Sequence, residues 1–205
     1  TSEAYEWDLP AGFPAPRVPE DNPMSTEKVE LGRYLFYDVR LSGNEGISCS
    51  SCHLQALAFS DGLALSPGAT GELTHRNSMS LTNSAYSATL TWSNPNLVTI
   101  ERQILVPMFG EFPVEMGITG NEEAVLERFR SEALYEPLFA AAFPDESDPV
   151  SFGNINKALA SFVRTLISGN SIYDQYRWVD KNAMSESAKR GMAMFLGETL
   201  ECHHC

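Results

Sequence analysis

Positive charge is scarce in this chain. Its 205 residues carry 14 Lys plus Arg against 27 Asp plus Glu, a formal net charge of -13. No run of clustered Lys and Arg is present that could track phosphates, which argues against nucleic acid as a partner. The acidic balance favours solubility and can steer a basic partner without naming one. Long apolar runs are missing too: no stretch of about 18 apolar residues occurs, so no membrane span is expected. Clear strand patterns are absent, as are sequence repeats of roughly 20–50 residues. Cysteine is confined to two C-x-x-C units, Cys49/Cys52 and Cys202/Cys205. Disulfide staples would be spread along the chain, so a structural disulfide framework is not the evident use.

What is present is helical periodicity around a long irregular middle. Pro10, Pro14, Pro16, Pro19 and Pro23 stiffen residues 1–23 into an extended arm. A helix is expected from Ser25, a plausible N-cap, with Leu31, Tyr34 and Leu35 as its buried stripe. From about 60 to 120 Gly, Ser, Asn, Thr and Pro prevail, with one short helix around 99–106. So long an irregular stretch suits a segment that serves function or is pinned by a cofactor. Helical signals return at Asn121, with Val125, Leu126 and Phe129 apolar. They are strongest over 154–168, where Ile155, Leu159, Phe162, Val163 and Leu166 keep helical spacing and Gly169 supplies a stop. A last helix is predicted from Ser185, with Met192, Phe195 and Leu196 inward, running into Cys202.

The stretch "CSSCH" carries the chemistry. C-x-x-C-H is the attachment signature of covalent haem c: two thiols add to the haem vinyl groups, and the adjacent histidine ligates the iron. Cys49 and Cys52 are the expected thioethers and His53 the axial ligand. A zinc half-site lacks nearby partners, since the next Cys/His group begins at Cys202. A redox dithiol would want a βαβ context, which is missing. The second unit, Cys202-His203-His204-Cys205, has no residue after it where a proximal histidine would stand. It reads as a haem motif cut short, or as a chance pair at a terminus. The chain starts at Thr1 rather than Met, which fits a mature, exported protein whose signal peptide is gone; an arbitrary start would look the same.

Several stretches in order, "KVELGRYLFYDVRLSGN", "CSSCH", "HRNSMSLTN", "LTWSNPNL", "ERQILVPMFGEFPVEMG" and "ALASFVRTLISGNSIYDQY", resemble the di-haem cytochrome c peroxidase and MauG superfamily, and within it the MbnH-type enzymes. The resemblance implies a mainly α protein of two cytochrome c-like haem domains with long irregular loops, the second truncated here. The arm would span 1–23, the peroxidatic domain 24–150 and the start of the second domain 151–205. It implies two covalent haem c groups and calcium as cofactors, and the periplasm as location. Cys202 and Cys205 would match the second haem's thioethers, and Asn77 the asparagine near the calcium. The second haem's axial ligands and the other calcium ligands would lie past residue 205. Trp92 would lie between the haems, Gln103 would orient peroxide, and Glu115 would serve as acid/base.

The implied activity is peroxide-driven ferryl haem chemistry that oxidises a tryptophan on a copper-binding partner of the MbnP type to kynurenine. The rivals are a di-haem peroxidase that takes electrons from a soluble cytochrome, and a plain electron-transfer cytochrome c. Taken without the resemblance, Glu115 and Gln103 read as readily as loop residues, Trp92 as packing, and Asn77 as a turn former. His75 reads as a surface or structural residue. Met79, Met108 and Met116 read as core residues before they read as iron ligands. Arg164 is a candidate partner for a haem propionate.

Overall fold

The computed structural model describes residues 5–204. Helix α1 (Thr26–Tyr37) starts where expected, because Ser25 adopts extended backbone and its Oγ accepts from the Lys28 N–H at 3.1 Å. Its inner face buries Leu31, Leu35 and Phe36. That face meets α6 (Phe152–Arg164) and α5 (Tyr135–Ala142), and α3 (Ile100–Phe109) also packs on α6. The crossing of α1 on α6 is close: a Cβ at Gly32 would come within 2.0 Å of the Ala158 carbonyl oxygen. Phe129 of α4 (Glu122–Ser131) joins Tyr135, Phe139, Ile155 and Leu159 in the same core.

The irregular middle survives in three dimensions. Between Gln55 and Ile100 only short 3-10 turns and isolated bridges break the loop, Leu54 with Ser60 and Pro67 with Leu73 among them. Polar side chains pin its start. Arg128 donates to the carbonyls of Arg40, Ser42 and Gly43 at 3.1, 2.7 and 3.0 Å. The Tyr135 hydroxyl donates to Asp38 at 2.6 Å. Those bonds hold the turn leading into α2 (Cys49–Cys52).

Several local expectations need correcting. α6 ends at Arg164, short of Gly169, because Thr165 turns its Oγ1 back onto the Phe162 carbonyl at 2.7 Å. Asn121 stands at the N-cap of α4 without capping it, since its side chain donates to the Gly117 carbonyl instead. α5 has no sequence signal of its own: Leu134 precedes it without a capping side chain.

The chain divides into two compact units. One holds Pro16–Ile167, and the other joins Trp7–Ala15 to the chain from Ser168 onward. The sequence expectation sets a boundary at 150/151, whereas α6 belongs to the first unit through its packing on α1. The second unit contains α7 (Ile172–Asp174), a π turn over Gln175–Val179, and α8 (Glu186–Phe195). α8 begins at the Ser185 cap as predicted, but Phe195 and Leu196 are exposed rather than inward, and a short 3-10 turn follows at Cys202–His204. Among the described residues no helix is long and apolar enough to cross a membrane.

Candidate functional site

The first C-x-x-C unit forms a single helical turn. Ser48 opens it, its N–H donating to Ser51 Oγ at 3.0 Å, and the His53 N–H closes it on the Cys49 carbonyl at 3.0 Å. Cys49 and Cys52 are both free and partly buried. Burial pushes the Cys49 thiol up to about 12. Burial also raises Cys52, helped by the charges of Asp61 and Glu115 and opposed by the Ser66 and Ser78 hydroxyls. Neither sulfur is a poised thiolate, which a redox dithiol would require.

His53 is set up as a ligand. Its Nδ1 lies 2.8 Å from the Phe59 carbonyl oxygen, which can only accept, so the proton is on Nδ1 and the Nε2 lone pair is left available. Burial lowers the imidazole pKa, against the Phe59 carbonyl, the Asp61 charge and a hydrogen bond to the Met79 backbone, and so favours the neutral form that binds a metal. The Phe59 carbonyl is presented by two consecutive left-handed residues, Ala58 (φ 54) and Phe59 (φ 60). That turn is held from outside by Ser80 and Thr82, whose hydroxyls donate to the Ala58 carbonyl at 2.5 and 3.1 Å. One turn with two free, unbridged thiols and a histidine of fixed tautomer at its end fits covalent haem c.

The candidate acid/base comes from the loop after α3, and the candidate peroxide-orienting residue from α3 itself. Glu115 is half-buried, and burial raises its pKa. Its backbone is held on two sides: its carbonyl accepts from the Ala69 N–H at 2.7 Å, and the next N–H, of Met116, donates to the Pro107 carbonyl at 2.9 Å. The loop at Gly68 lies so close that a Cβ there would sit 1.9 Å from the Val114 carbonyl oxygen. Glu115 therefore stands where its charge is felt by Cys52. Gln103 projects from α3 with its Oε1 buried and without a hydrogen-bond partner. A buried acceptor left unmet is costly unless a donor arrives, and a bound ligand or water would supply one.

A buried ion pair that the sequence did not reveal fixes α3. Arg164, 2% exposed, holds Glu101 at 2.6 Å, and Asn22 donates to the same carboxylate oxygen at 2.9 Å. Burial pushes Glu101 up, but the hydrogen bonds from Asn22 and Arg164 and the Arg164 charge outweigh it and hold the carboxyl below its usual range. Arg164 is thus engaged with α3.

The other expected residues take varied places. Trp92 is 76% exposed and takes no part in the core of the described residues. Asn77 and His75 are exposed, and among the described residues no cluster of metal-ligating side chains forms around Asn77. Met108 and Met116 are core residues, and Met79 is exposed. In the second unit Cys202 is exposed and free. Its partner Cys205 lies outside the described residues. Glu198, His203 and His204 bring ligand atoms within 4.8 Å of one another, all three exposed.

Comparison with known proteins supplies a family. The family model for di-haem cytochrome c peroxidase matches residues 26–182. The chain is 37% identical over 204 residues to a cytochrome-c peroxidase, IdrP1, of a Pseudomonas species, covering 95% of this chain and 50% of that one. It is 35% identical over 211 residues to the methylamine utilization protein MauG of Methylorubrum extorquens, covering 99% and 58%. A crystal structure of a MauG-like protein associated with microbial copper homeostasis superposes with a TM-score of 0.94 at 52% identity, covering 98% of this chain and 58% of that one. The chain spans about half the length of the curated relatives it matches.

Proposed function

The chain belongs to the di-haem cytochrome c peroxidase family, and on that premise we propose that it is part of a peroxide-dependent di-haem oxidase acting on a tryptophan of a copper-binding partner protein. The observation that carries the reading is the placing of a carboxyl of raised pKa, Glu115, within electrostatic reach of Cys52 in the attachment turn. An electron carrier needs no acid/base group beside its haem. The likeness to a protein linked to copper homeostasis supports the choice of partner.

Haem c bound at Cys49, Cys52 and His53 would supply an iron able to bind hydrogen peroxide and draw oxidising equivalents from it. The residues of the chain do the rest. His53 holds the iron through Nε2 while its Nδ1 proton stays on the Phe59 carbonyl. Gln103 meets a peroxide O–H with its buried, unpaired Oε1. Glu115 takes a proton from one peroxide oxygen and returns it to the other, so that water leaves. Trp92, an oxidisable indole exposed among the described residues, would be the relay residue between the haems, and Cys202 and Cys205 would hold the second haem as thioethers. Calcium near Asn77 is carried by the resemblance alone. Haem c maturation outside the cytoplasm places the enzyme in the periplasm in this reading.

Conversion of tryptophan to kynurenine cleaves the indole C2–C3 bond. Two peroxides supply two oxygen atoms and leave as two waters, giving N-formylkynurenine; hydrolysis then releases formate. The test is to incubate the full-length holoenzyme, its copper-binding partner and hydrogen peroxide, and map the partner by peptide mass spectrometry. A kynurenine at one tryptophan supports the reading. An unmodified partner, with peroxide consumed only when a reduced soluble cytochrome is added, would instead support the peroxidase reading that the likeness to IdrP1 favours.

A further inference from the structure

His53 and Asp61 flank the same bridge, on the side away from its turn. Leu54 and Ser60 form an antiparallel bridge, the Leu54 N–H lying 2.9 Å from the Ser60 carbonyl oxygen. In an antiparallel pairing the residues one step outward from the turn, here His53 and Asp61, are brought to neighbouring positions on the two segments. The turn that closes the bridge is the left-handed Ala58–Phe59 pair that hands its carbonyl to His53 Nδ1. One short loop therefore supplies the imidazole with a neutral acceptor in contact and, across the bridge, a carboxylate whose charge acts on it.

That carboxylate is held firmly. Its Oδ2 accepts from Ser66 Oγ at 2.5 Å, and its Oδ1 from the Leu63 N–H at 3.0 Å. Ser66 is 0% exposed, and its oxygen also lies 2.9 Å from Ser78 Oγ. None of the ion pairs found among the described residues includes Asp61. A negative charge is thus fixed by one buried hydroxyl and an amide, with no ion-pair partner among the described residues, close in the chain to the expected iron ligand. A turn former alone would need the Leu63 contact but not the buried Ser66.

We propose that Asp61 is a positioning residue whose fixed negative charge sets the reduction potential of the haem held by His53, favouring the ferric over the ferrous form. The inference rests on the haem reading of the first C-x-x-C-H unit. Removing a unit charge at this range in a partly buried site shifts a one-electron equilibrium by about tenfold, or about 59 mV.

The test is redox titration of the full-length holoprotein, with the His53-ligated haem followed separately from the second. Asp61→Asn keeps the Leu63 turn and an acceptor for Ser66 while removing the charge. Haem content is expected to stay whole, the potential to rise by about tenfold in equilibrium constant, and the iron–histidine stretch of the reduced protein to weaken. Asp61→Glu is expected to return most of the shift. Asp61→Ser, a second neutral variant, gives the same reading should the amide disturb Ser66. A fully loaded Asp61→Asn protein whose potential lies within about twofold of the native equilibrium overturns the role of Asp61 and leaves the haem reading standing. A native protein with no haem on Cys49 and Cys52 overturns both.

Discussion

Arg164 of α6 holds Glu101 of α3 at 2.6 Å, and the pair is almost wholly shut off from solvent on the Arg164 side. Two residues further along α3 stands Gln103 with its unpaired oxygen. The ion pair therefore anchors the helix that carries a proposed peroxide-binding group. Arg164→Ala would strand a buried carboxylate, and its expected cost is about 3–5 kcal/mol, read by chemical denaturation. Because the Glu101 carboxyl is held below its usual range, its contribution is fully present above the ordinary carboxylate pKa. It is lost as pH falls through the depressed value. Acid unfolding of Glu101→Gln should therefore lack that part of the pH dependence.

Glu115→Gln is expected to slow the reaction with hydrogen peroxide by roughly 10²–10⁴-fold while leaving haem content unchanged. Stopped-flow spectroscopy reads the rate. In the native enzyme the carboxyl must be ionised to take the first proton, and its pKa is raised by burial. The rate should rise with pH through a value above the ordinary carboxylate range. A pH-independent rate, or a Gln variant of native speed, would remove Glu115 from the chemistry.

Gly68→Ala tests how Glu115 is held. The new Cβ would meet the Val114 carbonyl at 1.9 Å, and backbone cannot yield as a side-chain tip can. The expected cost is about 1–3 kcal/mol of stability together with slower peroxide reactivity. Unchanged thermal unfolding and unchanged rate would mean that the loop moves freely.

Trp92→Phe separates relay from packing. With the indole 76% exposed, stability should change by less than about 0.5 kcal/mol. In the full-length enzyme, oxidation of the partner should slow and the near-infrared absorption from charge shared between the haems should weaken. Full partner oxidation at native speed would count against the relay.

Much of the scaffold was legible in the sequence because capping and periodicity are local. Ser25 and Ser185 start their helices through their own hydroxyls, and α6 buries Ile155, Leu159, Phe162 and Val163 as its spacing requires. The attachment turn was legible for the same reason. The misses depend on partners far along the chain. Arg164 finds Glu101 across 63 positions, and no local pattern announces it. Asp61 acquires meaning only when a bridge folds it back on His53. Phe195 and Leu196 kept the right spacing for a buried face and yet stand exposed in the described unit, so spacing identified the stripe but not its cover.

The most direct test of the whole account is the mass of the proteolytic peptide containing Cys49, Cys52 and His53 from the natural protein, read beside its pyridine haemochrome spectrum. The account predicts one haem joined to that peptide through both sulfurs. A peptide of unmodified mass with two titratable thiols would contradict it, and with it the roles given to His53, Gln103 and Glu115.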